Sequence, residues 1–292
     1  MRNTLILLLL IFISNAIYSQ DLIVTNDGDS INCKITKVKQ DNVYFTFIHK
    51  DEIRNTLLPT SDISFYQTNF YQTSEIPKNM VVGYKDYPKL RIAVNGGYSY
   101  LTAKISKNVP NDLKDYIKKL KSGYHFGCDI TYYYSEICGV GGKCSVFKSS
   151  NSIDDIYVQD IDGSIRYGKM SDNLTSLFVG PTFSTRFLSN NKKNAFLLDV
   201  SMGYMRYSNN MVLIEKYKII GHTVGLAIDA GYDISLTKNL SLGLQVSWII
   251  GSLGAYTLSG YGMPYPQTIK LQAGEHESLS RLDFSVGLRY TL

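Results

Sequence analysis

The stretch of sequence that decides the fold runs Leu282-Asp283-Phe284-Ser285-Val286-Gly287-Leu288-Arg289-Tyr290-Thr291. Large apolar residues occupy every second position, and the positions between them hold aspartate, serine, glycine, arginine and threonine. Successive side chains of a strand point to opposite faces. The alternation therefore predicts a strand with one wholly apolar face and one small or polar face.

Seven segments upstream repeat this alternation: residues 90–100, 126–134, 140–146, 177–184, 196–205, 224–233 and 240–250. Their polar faces carry glycine, serine and aspartate, and few of the lysines and glutamates that are usual on a strand facing water. Small residues with isolated charges are typical of the interior of a narrow barrel whose outer face is apolar. A soluble β-sandwich, which packs its apolar faces inward, is the alternative.

The lengths of the connections favour the barrel. Those at 135–138, 187–193 and 235–239 are short, whereas those at 103–121, 151–170, 208–220 and 253–280 are long, and the two kinds alternate strictly. Outer-membrane barrels have short turns in the periplasm and long loops outside the cell. We therefore predict an all-β fold, an eight-stranded antiparallel transmembrane β-barrel over residues 90–292, with both chain ends in the periplasm.

The N-terminus predicts export. Arg2 precedes an apolar run over residues 5–13, and a polar, small-residue stretch follows. This is the order of a cleavable signal peptide, which we assign to residues 1–19. The apolar run is about half the ~20 residues that a membrane-spanning helix needs.

Composition excludes several classes of protein. The 292 residues are 44% hydrophobic and only 19% charged, with 23 tyrosines against one tryptophan and a formal net charge of +5. The aromatic content argues against a disordered chain. Four cysteines are too few for a disulfide-rich scaffold.

Residues 177–183, 196–207, 239–248 and 282–292 together resemble the small outer-membrane β-barrel families. These families include the OmpA-like transmembrane domain and the PorT-type barrel proteins of the Bacteroidetes. The resemblance implies a location in the outer membrane of a Gram-negative bacterium. We expect the partners there to be outer-membrane lipid, lipopolysaccharide and the outer-membrane assembly machinery.

Nine charged residues are predicted to face the barrel lumen. An eight-stranded barrel leaves a space that side chains can fill, and mixed charges in it favour ion pairs because an unpaired buried charge is costly. A structural polar core is the main interpretation, and a narrow porin-like conduit for small solutes is the alternative. The nine residues are Arg91, Asp129, Lys143, Arg186, Asp199, Asp229, Asp233, Asp283 and Arg289.

Eight aromatic residues on the apolar faces are predicted to form interfacial belts at the level of the lipid headgroups. They are Tyr98, Tyr100, Tyr132, Tyr134, Tyr204, Tyr232, Trp248 and Tyr290.

Residues 20–71 predict a small β-rich periplasmic module, followed by a linker at 72–89 that contains Pro77 and Pro88. A role in docking a periplasmic protein partner is a hypothesis. Residues 20–89 carry 8 bases and 9 acids, so binding to nucleic acid is not indicated.

Two of the long loops carry structure of their own. The first holds six lysines and predicts an amphipathic helix starting at Pro110-Asn111, which either lies on anionic lipid headgroups or caps the barrel mouth. In the second, Asp162-Gly163 predicts a hairpin turn that joins two strands extending above the membrane. Asp160 and Asp162 lack the full pattern of a calcium-binding loop.

The sequence holds no recognisable catalytic constellation, cofactor motif or metal-ligand spacing. His125 is the best candidate for a base, but a single histidine is usually structural. Cys128 and Cys144 fall on one face of neighbouring strands, where small apolar filler is the expected role. We expect a non-enzymatic protein with a structural, surface-contact or secretion and assembly accessory role. A lipid-modifying enzyme is a remote alternative.

Overall fold

The computed structural model describes residues 19–71, 73–77, 80–82, 87–104, 109–159, 163–190, 193–272, 274 and 276–292. The predicted signal peptide therefore lies outside the described residues, apart from Ser19. So do Asp160 and Asp162 of the predicted hairpin turn. The chain divides into two compact units, residues 1–86 and 87–292. No described helix is long and apolar enough to cross a membrane.

The first unit is one antiparallel sheet of five strands. They are β1 (Gln20–Thr25), β2 (Ser30–Lys39), β3 (Asn42–His49), β4 (Glu52–Pro59) and β5 (Ile63–Tyr71), in the order β4-β3-β2-β1-β5. Ile23, Cys33, Val43 and Phe45 form its buried core. Ile76 in the predicted linker segment is also buried.

The second unit is built from long antiparallel strands and one helix. Its elements are β6 (Leu90–Leu101), α1 (Asn111–Leu120), β7 (Ser122–Tyr133), β8 (Cys138–Gln159), β9 (Ile165–Leu188), β10 (Ala195–Leu213), β11 (Glu215–Ser235), β12 (Leu240–Leu253), β13 (Ala255–Gly260), β14 (Gln267–Lys270), β15 (Glu277–Ser278) and β16 (Arg281–Thr291). Among the residues that the structure describes, the regular elements are β-strands apart from α1 and a 3-10 turn at Thr60–Asp62.

Strand pairing in the second unit closes on itself. Neighbouring strands pair in the order β6-β7-β8-β9-β10-β11-β12-β16, and β16 pairs again with β6. We call these eight strands the ring and the space inside it the lumen. Closure leaves no strand edge unpaired along the shared length, because every strand has a neighbour on both sides.

The predicted long connection at 208–220 is wrong. β10 and β11 continue through it in unbroken register, from Asn209↔Ile219 to Leu213↔Glu215, and reverse at Ile214, whose φ is +63°. Neither face of this hairpin is uniformly apolar, so the sequence shows no alternation of apolar and polar residues here and the strands were not predicted. The predicted connection at 253–280 likewise contains strands β13 to β15.

Strands β8 to β11 continue well beyond the rest of the ring. They hold 19 to 24 residues each, whereas β6, β7, β12 and β16 hold 11 to 14. Beyond the ring, on the side of the long connections, β11 pairs with β13 and β13 pairs with β14. The extension is therefore a continuous sheet in the order β8-β9-β10-β11-β13-β14. We call this extension the wall.

Candidate functional site

The outer face of the ring is apolar and exposed. Phe126 is 66% exposed, Met202 63% and Val224 62%, although a soluble protein usually buries side chains of this kind. All eight aromatic residues assigned to the belts are exposed on this face. Tyr132, Tyr134, Tyr232 and Tyr290 lie near the short turns, and Tyr98, Tyr100, Tyr204 and Trp248 lie towards the long connections.

The inner face is polar and buried, the reverse of a soluble sheet. Eight of the nine predicted lumen charges are buried, and the Asp129 side chain is 10% exposed. Buried charges are tolerated where they are paired and hydrogen-bonded. Seven of the nine belong to three such groups, and Arg186 and Asp199 have other partners.

The first group is built around Asp233. Arg91 donates from Nε to Asp233 Oδ2 at 2.7 Å and from Nη2 to Oδ1 at 3.2 Å, a two-point contact. Arg289 Nε lies 3.3 Å from the same Oδ1, and Arg289 Nη2 donates to Gln245 Oε1 at 3.3 Å. Strands β6, β11, β12 and β16 are thus tied together across the lumen.

The second group is built around Lys143. Its Nζ donates to Asp229 Oδ1 at 2.7 Å and lies 3.9 Å from Asp129 Oδ1. Asn95 Nδ2 donates to the other Asp129 oxygen at 2.9 Å. One ammonium group therefore serves two carboxylates that come from different strands.

Aromatic and hydroxyl groups line the lumen near the short turns. Ser184 donates to Asp199 Oδ1 at 2.5 Å and lies 3.0 Å from the Tyr133 hydroxyl. The Arg186 guanidinium stacks 3.7 Å from the centroid of the Tyr133 ring and donates to the Pro88 carbonyl at 3.0 Å. Arg186 is thereby held at the end of the lumen.

The third group contains a charge that sequence reasoning missed. Arg281 is fully buried, its Nε contacts both Asp283 oxygens at 3.1 and 3.2 Å, and it donates to Ser145 and Ser176. The strand was predicted to begin at Leu282, one residue too late. Arg281 has the same parity as Asp283, so extending the alternation by one residue would have found it.

His125 belongs to this third group. Its Nδ1 lies 2.8 Å from Ser99 Oγ, which donates to Asp283 at 2.6 Å, and its Nε2 lies 2.7 Å from Ser285 Oγ. Serine, histidine and aspartate are thus brought together, which the sequence did not indicate. His125, Ser99 and Ser285 are all buried, so the group forms part of the packed interior.

An apolar cluster also lies inside the ring, in addition to the polar and charged side chains that were predicted to fill the lumen. Met205 packs over two glycines: a Cβ added to Gly225 or to Gly251 would overlap its sulfur atom. Because these two glycines lack side chains, the Met205 side chain fits between them. We call Met205 and the apolar residues around it the Met205 plug. The buried members of the cluster are Phe178, Met205, Ala227, Ile249, Leu253 and Leu279.

Helix α1 begins at Asn111, as predicted, and covers the lumen end beside the wall. Tyr116 donates its hydroxyl to Asp172 Oδ2 at 2.7 Å, and Asn151 Nδ2 donates to the Tyr116 carbonyl at 2.9 Å. Burial, helped by the hydrogen bond to Asp172, raises the pKa of Tyr116. Since Tyr116 and Leu120 are buried against the strands, the capping interpretation applies and the helix does not offer its apolar face to lipid.

A cavity of about 330 Å³ lies beneath the helix. Lys104, Lys121, Asp172 and Glu277 supply its charges, and Ile117 and Leu120 supply part of its apolar lining. Lys121 Nζ also lies 4.7 Å from the centroid of the Tyr100 ring.

The cysteines are all free thiols. Cys128 and Cys144 are direct partners in the register of β7 and β8. Cys33 is buried in the five-stranded sheet, and burial, followed by the nearby Asp21 carboxylate, raises the pKa of its thiol to about 12.

The five-stranded sheet has a buried carboxylate, and one of its two edge strands exposes aromatic side chains. Asp21 accepts from Lys34 Nζ at 3.0 Å and from the backbone amides of Ile35 and Asn69. Edge strand β5 exposes Phe65, Tyr66 and Phe70. Among the described residues of the whole chain, no three His, Cys, Asp or Glu side chains come together as a metal site would require.

No protein-family model and no curated protein sequence matches the chain. Among solved structures it is similar to Neisserial surface protein A (NspA), at 11% identity and a TM-score of 0.40 over 70% of this chain and 97% of that one. It is also similar to the outer membrane protein OprG from Pseudomonas aeruginosa, at 11% identity and 0.43 over 70% and 97%. A third is the outer membrane protease OmpT from Escherichia coli, at 9% and 0.41 over 94% and 92%. At these values neither a role nor a site residue passes from those proteins to this chain.

Proposed function

We propose that this chain is an integral outer-membrane protein whose eight-stranded ring crosses the bilayer as a β-barrel. One observation carries the proposal: the outer face exposes a band of apolar side chains while the inner face buries ion pairs. Only a solvent as apolar as lipid makes that arrangement favourable, and closure satisfies the backbone hydrogen bonds that lipid cannot. On the same proposal, residues 20–71 lie in the periplasm.

Folding into lipid tests this proposal. Urea-unfolded protein, without residues 1–19, is diluted into phospholipid vesicles and analysed on gels without heating. We expect a folded band whose mobility changes on heating, and protection of the ring from protease. A protein that reaches the same folded state in buffer without lipid or detergent would contradict the proposal.

For its role, surface contact fits best. The wall carries four strands past the length of about 9–11 residues that a membrane-crossing strand needs, and it exposes Tyr157 and Tyr167. Exposed aromatic side chains are typical of protein interaction surfaces. Antibody or protease access to the wall on intact cells is the measurement, and a wall protected until the outer membrane is opened would contradict this role.

The side chains that occupy the lumen disfavour the conduit. Ion pairs and the Met205 plug both lie inside the ring, so we expect no current steps across planar bilayers at either polarity. Well-resolved single-channel steps would restore the conduit interpretation.

The secretion or assembly accessory role of PorT-type Bacteroidetes proteins is a second candidate. It is favoured by the exposed aromatic edge at β5, because an unpaired strand edge can accept another strand. Deleting residues 21–71 separates two outcomes. Normal barrel assembly with loss of a copurifying periplasmic protein would support docking, and failed assembly would indicate a folding role.

We also propose that the chain is not an enzyme, because the His125 group is enclosed by the lumen. Lipid composition should be unchanged by expression of the protein, and changes abolished by His125→Ala would overturn this view.

A further inference from the structure

An arginine and a histidine oppose each other on the outer face of the ring. Arg206 of β10 and His222 of β11 are direct partners in the strand register, and both are exposed. Directly opposed residues have Cβ atoms about 4.5–5.5 Å apart, so one anion between the strands can contact both side chains.

The groups around this pair keep its donors directed outward. The Tyr204 hydroxyl is hydrogen-bonded to His222 Nδ1, and the two rings stack with centroids 5.7 Å apart. When Tyr204 is the donor, His222 Nε2 retains the ring proton and is free to donate. Within the described part of the chain, no side chain forms an ion pair or hydrogen bond with the Arg206 guanidinium.

The pair stands at the boundary of the apolar band. Below it, the outward positions of β10 and β11 from Phe196 to Tyr204 and from Val224 to Ile234 hold no Asp, Glu, Lys, Arg or His. Further cations lie above it: Lys148 pairs with Thr175, whose partner Ser208 is two residues from Arg206. Lys218 pairs with Asn210, four residues from Arg206.

An apolar groove of about 450 Å³ begins directly below the pair. Val224 and Leu226 line it from β11, Met202 from β10 and Ile250 from β12. Met202 pairs with Leu226, and Tyr204 with Val224, so the groove starts two residues below Arg206 and His222 and continues for two more. At about 3.3 Å per residue, a phosphate at the pair would lie roughly 7 Å above the first groove residue.

We propose that this surface binds one phosphate-bearing lipid of the outer leaflet, with its phosphate between Arg206 and His222 and an acyl chain in the groove. The combination selects an amphiphile: guanidinium and imidazole donors suit phosphate oxygens, and the groove is lined mainly by apolar side chains, together with Ser252, Ser278 and Ser280. This inference rests on the proposed membrane location.

Lipid retention measured by native mass spectrometry tests the site. The folded protein in detergent is offered phosphatidic acid, diacylglycerol with the same acyl chains, or inorganic phosphate. We expect phosphatidic acid to be retained and diacylglycerol to be lost. The Arg206→Gln/His222→Gln variant should retain about tenfold less phosphatidic acid, since it loses charge-assisted hydrogen bonds.

Two further variants serve as controls. Lys118→Gln/Lys119→Gln removes two cations from the exposed side of α1 and should leave retention unchanged. Val224→Trp narrows the groove and should lower retention of phosphatidic acid while Arg206 and His222 stay in place. The heat-modifiable folded band confirms that each variant is folded.

Equal retention of phosphatidic acid and diacylglycerol by a correctly folded wild-type protein would overturn the lipid site and leave the membrane proposal intact. Binding of inorganic phosphate without lipid retention would also overturn it, in favour of a soluble anion. Failure of the wild-type protein to fold into vesicles would contradict the membrane proposal itself.

Discussion

The Arg289 guanidinium occupies the space above Gly243: a Cβ added to Gly243 would overlap Arg289 Nε. Position 243 faces the lumen, where its missing side chain leaves the passage that Arg289 uses to approach Asp233 and Gln245. The glycines of the inner face are thus part of the ion-pair arrangement.

Gly243→Ala should therefore displace Arg289 and weaken its contact with Asp233. A buried charge that loses its partner costs about 3–5 kcal/mol, and partial displacement should cost somewhat less. Urea titration of the folded protein in detergent measures the change. Gly142→Ala is the matched control, because the nearest atom to its added Cβ, the Gly180 carbonyl oxygen, is 3.8 Å away. Equal stability of the two variants would contradict this account of Gly243.

Lys143→Met should destabilise the ring strongly, because it leaves the Asp229 and Asp129 carboxylates buried without their cation. We expect a loss of about 3–5 kcal/mol in the free energy of unfolding. Adding Asp229→Asn removes one of the unpaired charges and should recover part of the loss. A double variant no more stable than Lys143→Met alone would show that the charges do not act through this pairing.

Phe126→Arg and Tyr157→Arg compare two residues of similar exposure, 66% and 69%, on the ring and on the wall. Water would tolerate both substitutions equally. In a bilayer, arginine near the midplane costs about 2–4 kcal/mol, and above the membrane it costs little. Folding yield in vesicles should therefore fall for Phe126→Arg alone. An equal effect of the two substitutions would contradict the membrane-spanning assignment.

Mild oxidation should join Cys128 to Cys144. Opposed residues of antiparallel strands have Cα atoms about 4.5–5.5 Å apart, within the range that a disulfide spans. The bridge would close a loop of about 15 residues and can stabilise by up to roughly 3 kcal/mol. Peptide mapping identifies the pair, and Cys128→Ser should abolish the bridge. A bridge formed by Cys33 or Cys138 instead would disprove this register.

Alkylation should distinguish the thiols as well. Since burial raises the pKa of Cys33 to about 12, almost no thiolate is present at pH 8, and iodoacetamide should leave it unmodified in the folded protein. Mass spectrometry after unfolding should show the same thiol reacting fully. Rapid modification of Cys33 in the folded state would indicate that its sheet opens readily.

The odd or even position of a residue within a strand was enough to predict which face most charged side chains occupy, because successive side chains of a strand point to opposite faces. It was not enough to predict their partners. Arg91 and Asp233 are 142 positions apart, and their meeting depends on strand order and stagger, which no local pattern encodes. Met205 has the same parity as the inward-facing Asp199, but the cluster it joins requires Gly225 and Gly251 on two other strands.

The missed strand at 208–220 has a different cause. Apolar alternation arises only where the two faces meet different solvents. Ser208, Asn209 and Asn210 continue β10 with polar residues on both faces, and register with β11 maintains the strand there. A prediction that follows only the alternation of apolar residues therefore ends each strand where its apolar face ends.

The wall rises from only half of the ring's circumference, the half formed by β8 to β11. If the ring crosses the membrane as proposed, residues 87–292 present a tall side and a low side within the membrane plane. Neighbours diffusing in the same leaflet can approach the low side, formed by β6, β7, β12 and β16, down to the level of the headgroups. From the opposite side they would contact the wall first. Encounters within the membrane plane would therefore depend on the direction of approach.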